Sequence, residues 1–272
     1  MNILQIILIF LVITLLIVAC FPKKKASEYI FRYDIDSPTT KIELPESLKE
    51  ISGLSFYKQN QLACVNDEKG IVFIFDLDKK AIVEQIDIGK DADYEGIEVV
   101  GDEIFTMKSN GKIKGFKVND TSERKIDCTH KDVKEYEGLG YNSLTNSLLL
   151  VTKEQDKSEN DKKIIFAYNL STGDFGKYLT IDQDMIKSND GKKAFAPSGI
   201  AVHPVTGEIF VISSQGKKLL ILSPKGEKNT LIELNAYLFV QPEGICFAPN
   251  GDLYISSEGQ DEHGYILKFE CK

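Results

Sequence analysis

The chain has 272 residues, with 33 Lys plus Arg against 41 Asp plus Glu for a formal charge of −8, and no Trp. Its 42% hydrophobic content and 5 Cys exclude a disordered chain and a disulfide scaffold. The acidic balance argues against a nucleic-acid partner, because holding phosphates needs a basic face.

In chain order, the first feature is an apolar run over residues 3–19, broken only by Gln5 and Thr14 and ended by Cys20. It resembles the lipobox of bacterial lipoproteins, with Ala19 as the small residue before the cut and Cys20 as the thiol that is acylated. On that reading residues 1–19 are a signal peptide, Cys20 is the lipidation site, and residues 20–28 form a polar tether. The expected location is the cell envelope, as a membrane-anchored lipoprotein facing the periplasm or exterior. The membrane is then a partner through the acyl chains. An uncleaved spanning helix is the alternative. The run sits at the lower limit for crossing ~30 Å, and Lys23-Lys24-Lys25 follows it where a cytoplasmic flank would lie.

Residues 29–272 are organised by repeats. Glu50-Ile51-Ser52-Gly53-Leu54, Asp93-Tyr94-Glu95-Gly96-Ile97 and Glu135-Tyr136-Glu137-Gly138-Leu139 share a Glu or Ser, then Gly, then Ile or Leu. Ala196-Pro197-Ser198-Gly199-Ile200 and Gln241-Pro242-Glu243-Gly244-Ile245 continue the series. The Glu/Ser positions are 43, 42, 61 and 45 residues apart, and the long gap holds two polar insertions, 154–163 and 182–193. Each start leads through turns into an apolar second strand such as 103–107, a third such as 71–75, and in most units a more polar fourth such as 81–86. This pattern predicts an all-β five-bladed β-propeller of four-stranded antiparallel blades, with six blades as the alternative. The fifth unit stops after its third strand, so the N-terminal segment 30–44 is expected to supply the missing outer strand and close the ring.

The first strand of a propeller blade lines the central channel. The repeated positions Ser52, Glu95, Glu137, Ser198 and Glu243 should therefore converge at one end of the axis, at the start of each inner strand. Carboxylates crowded in one narrow mouth repel unless a cation intervenes, so Glu95, Glu137 and Glu243 are candidate metal ligands. An all-oxygen set selects a hard ion, and Ca²⁺ is the expected cofactor. Carboxylates that merely bind backbone N–H groups of their own turns are the alternative. A second polar set follows the second strands: Asp67 and Glu68, Lys108, Lys153 and Glu154, Ser257 and Glu258. With Ser52 and Ser198 it should line an acidic ligand-binding funnel.

The ordered alternation Ile51-Ser52-Gly53-Leu54, Asn66-Asp67-Glu68, Glu95-Gly96-Ile97-Glu98, Glu137-Gly138-Leu139, Pro197-Ser198-Gly199-Ile200, Pro242-Glu243-Gly244-Ile245 and Ser257-Glu258 resembles the SdiA-regulated family of bacterial exported propeller proteins. The resemblance spans about residues 30–270 and implies a five-bladed propeller with a calcium site. It also implies a biochemical role that is poorly defined, with calcium-dependent phytase-like activity suspected for relatives. In one departure, Ser213-Ser214-Gln215 stands where the family tends to have an acidic turn, so a metal ligand expected there lacks its carboxylate.

No pair among His130, His203 and His263 has zinc-ligand spacing, and all three read as surface residues. There is no Gly-x-Ser-x-Gly elbow and no phosphate loop. Cys64 and Cys246 lie in apolar strands of units that adjoin in a closed ring. They are either a disulfide, feasible outside the cytoplasm, or buried free thiols. The sequence thus supports a surface-tethered calcium-binding propeller that binds a small-molecule or protein ligand at its axial mouth. The alternative is a calcium-dependent hydrolase, a phytase-like phosphoesterase or a lactonase, with Lys108 or Lys153 neutralising substrate charge.

Overall fold

Short apolar runs separated by tight turns form twenty antiparallel strands in the computed structural model, which describes residues 29–120, 122–155, 162–188, 191, 194–260 and 262–272. The signal 1–19, Cys20 and the tether to residue 28 lie outside the described residues. Arg32–Lys272 form one compact unit, separate from Met1–Phe31.

The first strand, β1 (Thr40–Glu43), belongs to the last blade, and the short 3-10 turn Glu46–Leu48 leads from it into blade one. Blade one is β2 (Ile51–Lys58), β3 (Gln61–Asn66), β4 (Ile71–Asp76) and β5 (Ala81–Asp87). Blade two is β6 (Tyr94–Val100), β7 (Glu103–Lys108), β8 (Lys112–Lys117) and β9 (Glu123–Asp127). Blade three is β10 (Val133–Asn142), β11 (Ser147–Gln155), β12 (Lys163–Asn169) and β13 (Phe175–Ile181). Blade four is β14 (Ala196–Val202), β15 (Ile209–Gln215), β16 (Lys218–Leu222) and β17 (Lys228–Glu233). Blade five is β18 (Pro242–Phe247), β19 (Leu253–Ser257) and β20 (Tyr265–Phe269), completed by β1. The predicted count of five blades is therefore observed.

Closure follows the expected route. Ile42 pairs with Ile266 and Glu43 with Tyr265 in antiparallel register, so the two ends of the chain share one sheet. The Leu44 N–H donates to the Gly264 carbonyl at 2.7 Å and the Lys272 N–H to the Arg32 carbonyl at 3.0 Å, extending the seam beyond the strands. The pairing covers the edge that an open array would leave exposed.

The core lies between blades rather than inside one sheet, because each sheet has two faces and only stacking hides both. Ile42, Leu54, Phe73, Phe75 and Ile266 pack at the junction of blades five and one. Met107, Ile113, Tyr136, Leu150 and Phe166 join blades two and three. Between blades four and five the contact is aromatic: Phe210 meets Phe247 edge-on at 5.0 Å, and the His203 ring lies 5.0 Å from Phe247. His203 is thus 2% exposed, which corrects its reading as a surface residue. Its Nδ1 accepts from the N–H groups of Val205 and Thr206, so the ring shapes its own turn. Cys64 and Cys246 are both buried, and both are free thiols.

Candidate functional site at the axial mouth

The repeated motif marks a β-bulge in every blade. Register between the inner and second strands slips between Ile51 and Gly53, Tyr94 and Gly96, and Tyr136 and Leu139. It slips again between Pro197 and Gly199, and between Pro242 and Ile245. Ser52, Glu95, Glu137, Ser198 and Glu243 fall in these slips and are left out of the ladder. A bulge twists its strand and re-aims the unpaired side chain, which is how five equivalent residues leave their sheets and face one mouth. The expectation that they begin their strands needs adjusting: Glu137 lies well inside β10, which starts at Val133.

The glycine after each of these residues allows the inner strands to touch. A Cβ on Gly199 would lie 2.4 Å from the Glu243 carbonyl oxygen, and one on Gly138 would lie 2.7 Å from the Gly199 Cα. Gly138 also has φ +85, open to glycine at no steric cost. The apolar residue that ends each motif lines the axis beyond this hoop: Leu54, Ile97, Leu139, Ile200 and Ile245 are at most 4% exposed. They leave an axial cavity of about 10 Å³, room for at most one water. The mouth is therefore a blind cup rather than a pore.

The five ring positions divide by chemistry. Ser52 Oγ donates to the Tyr94 carbonyl at 2.6 Å, and Ser198 Oγ donates to the Pro242 carbonyl at 2.7 Å. Each acceptor immediately precedes a ring glutamate of the next blade, so the two serines clasp neighbouring blades. The other three positions are glutamates, and all are at least nine-tenths buried. Lys153 Nζ lies 2.5 Å from Glu137 Oε1 and 3.6 Å from Glu135 Oε1. Burial, then the Glu137 charge, holds the Glu95 carboxyl well above its ordinary range. Glu243 is raised in the same way by burial, then by Glu137 and Glu258. Glu137 is raised by burial, partly offset by Lys153. Burial alone would lower the Lys153 ammonium, but Glu137, Glu135 and Glu95 outweigh it and raise it.

The second polar set meets the ring in part. The Tyr94 N–H donates to the Asp67 carbonyl at 3.2 Å, so the loop after β3 abuts the start of blade two. Burial raises the Asp67 carboxyl, as do Glu50 and Glu68. Its Oδ1 is buried without a hydrogen-bond partner among the described residues. Glu258 is pushed up to about 7 by burial, then by Asp67 and Glu50, and the Gly259 N–H donates to the Lys49 carbonyl at 3.4 Å, so the loop after β19 abuts the entry to blade one. Ser257 is fully buried, and its Oγ accepts from the Gln241 N–H at 2.9 Å, a structural tie rather than a lining group. The Glu68 side chain is 64% exposed and lies 4.0 Å from Lys69. Lys108 sits 5.0 Å over the Tyr94 ring and lines a pocket between blades one and two instead. The side chain of Glu154 lies outside the described residues.

Two further carboxylates were not singled out from the sequence. Asp93, Glu95 and Glu135 bring ligand oxygens within 4.8 Å of one another, the one such set of three among the described residues. Asp93 and Glu135 both stand two residues before a ring glutamate, and that shared offset was the available signal. An orphaned Asp67 oxygen beside carboxyls held above their ordinary range suits a hard cation with oxygen ligands.

At the opposite end of the axis a separate pocket of about 260 Å³ is lined by Ser55, Glu98, Tyr141, Ala201 and Phe247, near the far ends of the five inner strands. Burial pushes the Glu98 carboxyl up to about 8, against hydrogen bonds from Ser55 Oγ at 3.1 Å and the Val99 N–H at 3.3 Å.

A family profile described as SdiA-regulated matches residues 26–260. No curated protein matches the chain. Among solved structures, the Myxococcus xanthus glutaminyl cyclase is similar at 13% identity and TM-score 0.59, covering 86% of this chain and 95% of the other. A streptogramin B lyase is similar at 13% identity and TM-score 0.53, covering 86% and 97%. The nidogen/laminin complex contributes a third likeness at 16% identity and TM-score 0.52, covering 76% and 72%. At these identities the likeness concerns the fold alone.

Proposed function

This chain belongs to the SdiA-regulated family, and from that membership and the axial geometry we propose that it is an envelope-tethered propeller that holds Ca²⁺ at its mouth and offers that mouth to a ligand. The observation that carries the reading is the Asp93, Glu95 and Glu135 cluster, with the Asp67 carboxyl, whose Oδ1 is buried and unpartnered among the described residues, within charge range of Asp93. Lys153 pairs with Glu137 at 2.5 Å and reaches Glu135 at 3.6 Å, so a cation would displace it from one member of the cluster. Ca²⁺ takes six to eight oxygen ligands, so this mouth offers the donors it favours. Asp93, Glu95 and Glu135 would hold it, with Glu137 and Glu243 adding negative charge around them. Because the axis is plugged behind the ring, a small-molecule or protein ligand would approach from one side. The tether rests on Ala19-Cys20 at the end of the apolar lead. Among the described residues no helix is long and apolar enough to cross a membrane.

Calorimetric titration of the chelator-stripped protein with CaCl₂ tests the metal. Binding that is lost in Glu95→Gln and in Asp93→Asn/Glu135→Gln supports the reading. Absent binding, or binding unchanged in both variants, refutes it.

A second reading is a calcium-dependent hydrolase of a phosphate ester or lactone. It is favoured by Lys153, whose ammonium at the mouth could meet a substrate anion. A hard dication there would supply Lewis-acid polarisation of a substrate oxygen. Two structural neighbours are named as enzymes, a lyase and a cyclase, but at 13% identity they lend only the fold. A phosphatase and lactonase panel with and without chelator decides it: chelator-sensitive turnover that requires Lys153 favours the enzyme, and none leaves the binding protein.

A further inference from the structure

The blade-two face turned toward blade one carries an unusual concentration of lysine for a chain of charge −8. Strand register explains it. Thr106 on β7 pairs with Lys114 on β8, and Lys114 pairs with Lys125 on β9, so the three side chains form one cross-strand row. Lys108 and Lys112 share that face by the two-residue period of their strands. With Lys90 they line a pocket of about 320 Å³ whose apolar wall includes Ile88 and Tyr94.

The acidic groups at hand do not balance this charge. Glu123 lies 2.5 Å from Lys114 Nζ, which also donates to the Ile88 carbonyl at 3.1 Å. Asp127, opposite Lys112, is the one carboxylate in the lining. Asp87 and Asp91 also act on Tyr94, and Asp91 has its own partner in Lys69 at 3.4 Å. Glu123, Asp127 and Asp87 against five lysines leave an excess of two positive charges (5 − 3). Lys114 and Lys125 are like charges directly opposite on neighbouring strands, which disfavours the sheet; Glu123, paired with Lys114 and within charge range of Lys125, offsets this in part. Lys108 Nζ lies 5.0 Å above the Tyr94 ring. An independent observation points into the same pocket. Thr106 is 1% exposed, and its Oγ1 finds no hydrogen-bond partner among the described residues. A buried hydroxyl is normally paired, so an orphan lining a basic pocket marks the place of a missing acceptor.

We propose that this pocket is a binding site for a small amphipathic anion, an organic phosphate monoester whose phosphate meets the lysines and the Thr106 hydroxyl and whose flat apolar body lies along Tyr94 and Ile88. The two excess charges match a dianionic head, and the apolar wall favours an attached body over a free inorganic ion. The site is separate from the axial mouth and does not rest on the calcium reading.

Calorimetric titration of the full chain with phenyl phosphate, in chelator so that the mouth holds no metal, tests it. Inorganic phosphate and benzyl alcohol serve as the head-only and body-only probes. Phenyl phosphate is expected to bind more tightly than either. Lys108→Gln/Lys125→Gln and Thr106→Val should each weaken it about tenfold, the loss of roughly one charge-assisted or buried hydrogen bond. Thr106→Val should leave the melting temperature unchanged or raised, because the hydroxyl is unpaired without ligand; a structural hydroxyl would lower it. No binding of phenyl phosphate, equal binding of either fragment, or affinity indifferent to both variants would overturn the proposal.

Discussion

Lys153 Nζ and Glu137 Oε1 meet at 2.5 Å, joining the second strand of blade three to the bulge of its own inner strand. This pair sits at the mouth and holds one of three buried ring glutamates against its cation. Lys153→Met removes the cation and leaves Glu137 buried without it. The Lys153 side chain is 39% exposed, so the expected loss in chelator is roughly 1–3 kcal/mol rather than the full cost of breaking a buried pair. If Ca²⁺ binds the mouth, the variant should gain more thermal stability from CaCl₂ than the native chain does, because Lys153, 3.6 Å from Glu135, no longer competes for that carboxylate. Differential scanning calorimetry with and without CaCl₂ reads both effects.

Ser198 Oγ donates to the carbonyl of Pro242 across the blade four to blade five seam, 2.7 Å away. Ser198→Ala should cost about 1 kcal/mol, the net value of one buried hydrogen bond. Calcium affinity should stay as it was. A large fall in affinity with little change in denaturation midpoint would instead make Ser198 a ligand.

The glycine hoop predicts a sharp contrast between two alanine substitutions. Gly199→Ala would drive a methyl to 2.4 Å from the Glu243 carbonyl, whereas a Cβ at Gly176 on β13 meets nothing within 4 Å. The first should cost about 3 kcal/mol or abolish folding, since the contact is backbone and cannot rotate away. The second should be neutral or stabilise by about 0.5 kcal/mol through a less flexible unfolded chain. Urea denaturation of both proteins checks the difference.

Glu98 gives the far pocket a pH dependence. Its carboxyl is raised from 4.5 to about 8, chiefly by burial. Between those values the unfolded chain has released the proton and the folded chain keeps it, so this group makes stability fall as pH rises and level off above about 8. Glu98→Gln cannot lose a proton. It should match or slightly trail the native chain near pH 5 and exceed it near pH 9 by roughly 1–2 kcal/mol. Denaturation midpoints at the two pH values decide it, and a difference that does not change with pH rules the assignment out.

The sequence by itself determined the architecture, because a propeller is a repeat and repeats are visible in one dimension. The Glu/Ser-Gly-Ile/Leu series set the blade count, and the truncated fifth unit called for an N-terminal strand that β1 supplies. What each motif residue does was decided only in three dimensions. The bulges that expel Ser52, Glu95, Glu137, Ser198 and Glu243 from their ladders depend on how two strands register, which no single strand encodes. Ser52 and Ser198 share a repeat position with the glutamates, yet they bond carbonyls of the next blade, a contact set by the rotation between sheets. Lys108 lies opposite Tyr94, but the residue opposite the equivalent Tyr136 is Thr152, so Lys153 stands one residue further along and, by the two-residue period of a strand, on the other face, where it reaches Glu137. His203 reads as a polar turn residue and is buried, because Phe210 and Phe247 from two blades close over it. Local pattern sets the period of the chain; the burial and pairing of a charged group depend on neighbours brought from distant units, and those exist only once the ring is closed.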